Sequence, residues 1–573
     1  MGLLGWVHSR GFSVFQHARC ISCTFVALAI SFLVPVFLPA QTPSPVNASP
    51  KASATSGYTG DKACERCHAE IYRSYEKTAM AHASGPAVGN LIPGEFTHAP
   101  SGVHYRVYEQ GGRAWLSFDR NGADAIHGKR ELLYFIGSGD RGRTYIFLED
   151  GFYFEAPVNW YAQKSTWDMT PAYQDAHHIP LNLPLAASCL SCHAADPQSP
   201  APGTENRYSE PLLSQEGIGC ERCHGPGAVH IAKMGPMINP SKLDPARRDA
   251  ICMQCHLEGN VAIQQPGHEL NQFRPGDDLQ DYVHYFVLTG TAREYRAASQ
   301  FESFYRSKCK LKSGGSFSCI TCHDPHSSPA PSERVSYYRA KCISCHGVAF
   351  VAKHHKKNPD CVSCHMPRIQ SSDVAHTQAT DHRILRRPDQ INVTSQNLDQ
   401  PELKRFPQTE AKIADRDLAL AWESLAESGN ESAAAEAQKY LPRALAETPD
   451  DPALLTAVGF LNEKQGKIQQ ARSLYEHALR ENPFADVAST DLGVIIAQSG
   501  DLSEAIRLWK IVFAKEPEKS AIGTNLSKAL CAEGNTAEAR ATIERVLEFN
   551  PDLPQARELL LDFNRTPPEC ELH

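Results

Sequence analysis

Fourteen of the nineteen cysteines in this 573-residue chain fall into seven copies of Cys-x-x-Cys-His. They are Cys64, Cys67, His68; Cys189, Cys192, His193; Cys220, Cys223, His224; Cys252, Cys255, His256; Cys319, Cys322, His323; Cys342, Cys345, His346; and Cys361, Cys364, His365. Two thiols at this spacing match the two vinyl groups of a porphyrin and can add to them as thioethers. The adjacent imidazole then lies under the ring, where it binds the iron. Zinc sites also use such cysteine pairs, but they take two pairs per metal, and seven is odd. Disulfides would leave the histidines unexplained. The pattern predicts seven covalently attached c-type haems.

The sixth ligand decides what such irons do. A second histidine saturates the metal and suits it to passing electrons, whereas an open position admits substrate. Apart from the seven motif histidines, fourteen remain in the haem-bearing part, enough to favour bis-histidine ligation. His82 follows the first motif in Thr78-Ala-Met-Ala-His82, and His230 lies beyond Gly-Pro-Gly after His224. His326, in Cys-His-Asp-Pro-His326, is placed to turn toward a neighbouring haem, and His376 comes soon after the last motif. These four are the leading distal candidates. His177, His178, His268, His284, His354, His355 and His382 form a second rank. His98, His104 and His127 read as surface or turn residues of a β segment.

These motifs need elements to carry them. Residues 1–40 hold Arg10, Arg19, an apolar stretch to Leu38 and a small-residue cleavage site before Gln41, the pattern of a signal peptide. Residues 41–57, rich in Pro, Ser and Ala, read as a disordered linker. A heptahaem cytochrome domain is expected over 58–400, loop-rich and α. Within it, a β-meander insert over about 95–175 is marked by short aromatic and β-branched runs between glycine turns. Attachment of haem c takes place outside the cytoplasm, so the expected location is the periplasm. There is no second apolar run of spanning length, so the mature chain is expected to be free of membrane spans.

From 401 to 573 the texture changes to Ala, Leu and Glu at helical spacing. Pro449, Pro483, Pro517 and Pro551 recur every 34 residues, as do Gly466, Gly500, Gly534 and Ala437, Ala471, Ala505, Ala539. This period resembles the tetratricopeptide repeat, an all-α solenoid whose groove binds protein partners. Three good repeats, a degenerate one near Trp422–Ala446 and a capping helix over Leu553–Phe563 are expected. From Glu410 onward there are 28 acidic and 17 basic residues, a net −11 that favours a basic partner, against +3 for the remainder. Neither half is basic enough for nucleic acid.

Gly217-Ile-Gly-Cys220-Glu-Arg-Cys-His224-Gly-Pro-Gly with His230, together with Cys64-x-x-Cys-His and Met80-Ala-His82, resembles the tetrahaem cytochrome c554 family. Cys319-x-x-Cys-His-Asp-Pro-His326 and Cys361-x-x-Cys-His-Met-Pro resemble the doubled-motif multihaem group. The resemblance implies stacked haem pairs, mostly bis-histidine with an occasional five-coordinate iron, and transfer of electrons between redox partner proteins. Haem number, β insert and repeats all depart from the tetrahaem carrier, so its substrate and partners do not carry over. The competing expectation is an oxidoreductase acting on a small nitrogen or sulfur compound at one five-coordinate haem.

Overall fold

The computed structural model describes residues 57–573 apart from 123–124, 290–294, 355–357, 388–401, 409–411, 428–429, 566–567, 569 and 571–573. The expected signal peptide and nearly all of the linker lie outside the described residues. The first motif sits on α1 (Asp61–Tyr75), and the chain turns directly into a β region.

That region comprises β1 (Ser84–Pro86), β2 (Gly94–His98), β3 (Val103–Gln110), β4 (Arg113–Arg120), β5 (Ile126–Ile136), β6 (Gly142–Glu149), β7 (Phe152–Tyr161), β8 (Thr166–Met169) and β9 (Leu183–Pro184). Strands β2 to β8 pair in sequence order, the expected meander, while β1 pairs with β5 and β9 with β7. The sheet therefore begins earlier and ends later than the 95–175 estimate. Its first and last strands are too short for alternation to reveal them. Alternation fixes the inner face elsewhere: Val103, Tyr105 and Val107 of β3 face inward, as do Ala114, Leu116 and Phe118 of β4. Tyr105 is registered against Phe118, and Val107 against Leu116. Gly111 and Gly112, at φ 64° and 71°, make the hairpin turn between these strands, where a side chain would be strained. The sheet curls until β2 meets β8, giving a barrel-like body. A Cβ on Gly94 would stand 2.4 Å from Trp167, so this glycine permits the closure.

The next six motifs lie on or beside short helices joined by loops. These are α2 (Ala187–His193), α3 (Glu221–His224), α4 (Ala228–Lys233), α5 (Pro245–His256), α6 (Gln300–Tyr305), α7 (Lys308–Lys312), α8 (Cys319–Cys322), α9 (Arg334–His346), α10 (Val348–His354) and α11 (Cys361–His365). Two small sheets interleave with them: β10 (Val261–Gln264) and β11 (Val283–Thr289) with β14 (Glu402–Phe406), and β12 (Arg368–Gln370) with β13 (Gln378–Thr380). The boundary drawn at 400 therefore separates β14 from β11, the strand it pairs with.

The helical array comprises α12 (Asp415–Glu427), α13 (Glu431–Glu447), α14 (Pro452–Lys464), α15 (Ile468–Glu481), α16 (Asp486–Gln498), α17 (Leu502–Phe513), α18 (Ser520–Ala532), α19 (Thr536–Phe549) and α20 (Pro554–Phe563). The repeating small residues mark close helix approach. A Cβ on Gly459 would lie 2.6 Å from Tyr475, and one on Gly493 would lie 2.3 Å from Trp509. In the third copy the place of Tyr475 and Trp509 is taken by Ile543, a smaller side chain, and Ser527 replaces the glycine. A disulfide between Cys531 and Cys570 ties the tail to α18.

The array is not a free appendage. Phe549 is 1% exposed and packs into the barrel core, its ring centre 5.1 Å from that of Phe154. Leu181 N donates to Phe549 O at 2.8 Å, and Ile179 N donates to Asp552 at 2.6 Å. A second seam joins the α17–α18 loop to the loop around Gly203. There Lys519 lies 3.6 Å from Glu205 and 3.5 Å from Asp486, and Glu518 is buried with neither carboxylate oxygen partnered. Burial, the largest cause, pushes Glu516 up to about 8 and Glu518 up to about 7. A raised carboxylate binds more protons folded than unfolded, so stability falls as pH rises from the ordinary carboxylate range toward these values. We expect the melting temperature to drop by a few degrees between pH 5 and pH 8. Glu518→Gln should flatten that drop, and a calorimetric pH series with the same slope in the variant would refute the assignment.

Candidate functional site

A helical turn places residues three and four apart on one face, so each motif presents two thiols and an imidazole together. Motifs far apart in sequence meet in space. Cys64 neighbours Cys220, Cys192 neighbours Cys255, Cys252 neighbours Cys319, and Cys342 neighbours Cys361, in each pair one thiol close enough to shift the ionisation of the other. Helix α8 packs on α9, and α9 on α11. The seven motifs thus form one contiguous run: first, third, fourth, fifth, sixth and seventh, with the second beside the third and fourth.

Histidines face four of the motif histidines. The ring centres of His68 and His230 are 6.4 Å apart at an interplanar angle of 21°. His224 and His326 are 5.9 Å apart at 11°, His323 and His382 are 6.3 Å apart at 36°, and His365 and His354 are 6.2 Å apart at 31°. Two imidazoles on opposite sides of one iron, each nitrogen about 2 Å from it, have ring centres roughly 6 Å apart. The donor set fits haem.

Hydrogen bonds at the other ring nitrogen support this fit. A ligating histidine commonly donates Nδ1–H to a carbonyl, which fixes the tautomer that offers Nε2 to the metal. His224 Nδ1 donates to Ile238 O at 2.9 Å, His193 to Ala83 O at 3.3 Å, His256 to Gln300 Oε1 at 3.2 Å and His365 to Leu385 O at 2.5 Å. On the facing side His230 donates to Gly235 O at 2.6 Å and His382 to Thr380 O at 2.9 Å. Burial lowers the pKa of His193, His224, His256 and His382, and pushes His323 down to about 4. All of these favour the neutral, ligating imidazole.

Of the four leading distal candidates, His230 and His326 face motif histidines, and His326 faces a motif other than its own. His82 and His376 do not. The Nε2 of His82 bonds Glu76 O at 2.7 Å, and that of His376 bonds Asp168 at 2.7 Å, with the His376 ring edge-on to Tyr161. Of the second rank, His354 and His382 do face motif histidines. His284 sits in a structural network, 2.5 Å from Asp417 and 2.5 Å from Arg405. His355 lies outside the described residues. His98, read as a surface or turn residue, ends β2 at the turn into β3 but is buried there, bonding Ser101 and Gln174 O. Among the described residues no histidine ring faces His193 or His256, and the neighbour of His346 is Phe350, at 5.6 Å.

Three family models match the chain: cytochrome c554 and c-prime over 160–225, the doubled CXXCH motif over 311–349, and the tetratricopeptide repeat over 496–561. Together they are the signature of a multihaem cytochrome c with tetratricopeptide repeats. The first, fourth and seventh motifs lie outside the matched segments. Solved structures similar to the chain include MamA 41-end from Desulfovibrio magneticus RS-1, 18% identical, covering 27% of this chain and 86% of that one, TM-score 0.24. Pseudomonas aeruginosa pilF is 18% identical over 26% of this chain and 69% of its own, TM-score 0.24. A tetratricopeptide repeat protein from Parabacteroides merdae ATCC 43184 is 20% identical over 26% and 59%, TM-score 0.23. No curated protein matches the sequence. Among the described residues no helix is long and apolar enough to cross a membrane.

Proposed function

We propose that this chain is a periplasmic electron relay of seven covalently bound haems, with its repeat array docking a redox partner. The contiguity of the seven motifs carries the reading, because outer-sphere transfer needs neighbouring porphyrins and no acid, base or nucleophile. His68 with His230, His224 with His326, His323 with His382, and His365 with His354 would hold four irons between paired imidazoles. The haems supply one-electron chemistry when bound, and the protein sets their potentials through ligands, burial and hydrogen bonds. The Cys531–Cys570 disulfide accords with an oxidising compartment. The acidic array favours a basic partner, and its fixed seam with the barrel would hold that partner in one place relative to the haem run.

Expression with a c-type haem maturation system tests this. The expected product is a periplasmic chain beginning near Gln41 whose intact mass carries seven haems. A cytoplasmic product, or a mass with three or four haems, would sink the relay as stated.

A second reading, an oxidoreductase of a small nitrogen or sulfur compound, draws on His193 and His256, which no described histidine ring faces. It predicts a stoichiometric high-spin ferric signal that shifts on adding nitrite, hydroxylamine or sulfite. Seven low-spin irons would remove it.

A further inference from the structure

Arg222 lies between the cysteines of the third motif, and its side chain is 3% exposed. Its guanidinium donates to Ser191 O at 2.8 Å and to Gln254 Oε1 at 2.6 Å. Ser191 lies inside the second motif and Gln254 inside the fourth. Gln254 reaches back, donating to Arg222 O at 3.3 Å and to Ile251 O at 2.9 Å. One side chain therefore stitches three attachment motifs together, and its field reaches Cys192, Cys223 and Cys255.

Both partners of this cation are neutral. The adjacent carboxylate, Glu221, is turned to backbone amides of Thr59, Gly60 and Gly227 at 2.9, 2.9 and 2.7 Å. Asp196 lies within the field of Arg222 but is not one of the groups the guanidinium bonds. The Nε of Arg222 is buried without a partner. A buried cation is usually paired, and arginine cannot shed its proton to escape. A permanent positive charge held by neutral groups, where three haems attach, acts on whatever charge changes there.

We propose that Arg222 raises the reduction potentials of the haems attached at the second, third and fourth motifs. Reduction of a ferric haem takes up one electron and lowers its net charge by one, so a nearby cation favours the reduced form. This rests on the relay reading only in taking those motifs to carry haem.

The test is spectroelectrochemical titration of the full-length, haem-loaded protein and its Arg222→Gln and Arg222→Lys variants, with haem content measured independently as the pyridine haemochrome. At roughly 10 Å and an effective dielectric near 20, one charge changes a redox equilibrium about tenfold. In R222Q the reduced-to-oxidised ratio of two or three haems should therefore fall about tenfold at their parental midpoints, equivalent to about 59 mV for a one-electron couple. The remaining haems should titrate as before. R222K keeps the charge without the planar fork and should retain most of the parental potentials. A fully loaded R222Q that titrates like the parent overturns the proposal. So does an R222K that shifts as far as R222Q, since that is the mark of a purely structural role. If R222Q does not load haem, Gln254→Glu takes its place: an anion set against the guanidinium, 2.6 Å away in the parent, should lower the same potentials, and unchanged potentials refute the assignment. A parent chain with no haem at these motifs would instead refute the relay reading.

Discussion

Haem-loaded protein carrying His382→Ala is expected to gain one equivalent of high-spin ferric haem, while His376→Ala gains none. Both histidines follow the last motif closely, and local spacing favours His376. The tertiary structure separates them. The ring of His382 stands 6.3 Å from that of His323, with Nδ1 tied to Thr380 O, so its other nitrogen is the one offered to an iron. The Nε2 of His376 instead bonds Asp168, across a seam to β8. Burial lowers the pKa of His382 and keeps it in the neutral form that can ligate. Alanine there leaves the His323 haem with one protein ligand, open to water or added azide. Electron paramagnetic resonance with spin quantitation distinguishes the two variants. An unchanged low-spin count in H382A, or a new high-spin species in H376A, would show that the pairing is wrong.

The contrast shows which parts of the site are legible in the chain. Attachment chemistry is written within five residues, so the seven motifs can be read one at a time. Distal ligation is a tertiary contact. Nothing local distinguishes His382 from His376, or says that His354 of α10 meets His365 of α11 while His326 meets His224. The repeats are legible because each copy reuses the same turn: Gly466, Gly500 and Gly534 all take positive φ, at 74°, 97° and 84°. Strands β3 to β7 show through their alternation. Strand β14 does not, because its partner β11 lies more than a hundred residues earlier and its own five residues carry little pattern. Arg222 and Gln254 each occupy the second variable position of their motif, where any residue satisfies the attachment pattern, so their mutual contact leaves no trace in sequence. Phe549 is equally silent, an apolar residue at the end of an ordinary helix.

Phe549→Ala is expected to uncouple the repeats from the haem-bearing part at a cost of about 3–5 kcal/mol, the range for removing a buried phenylalanine. The ring belongs to α19 but is buried in the barrel core against Phe154, so its loss leaves a cavity in the seam rather than within the array. Polar bonds on either side cannot make up the difference. Arg120 pairs with Asp552 at 2.9 Å, Arg130 donates to Glu548 O at 2.9 Å and Arg545 pairs with Asp150 at 2.6 Å. Two of these are partly exposed, and such bonds contribute about 1 kcal/mol or less each. Calorimetry of the parent should show the barrel and array melting together, and F549A should show a separate, earlier transition for the array. Phe549→Leu, which keeps much of the volume, should lose less and stay coupled. A single transition in F549A at the parental temperature would mean that the seam contributes little. The variant also separates two roles that the relay reading assigns to one surface. Loosening the seam leaves the groove of the repeats intact, so a docked partner should bind as before. Transfer to the haems should slow, because the array no longer holds that partner at a fixed distance from them.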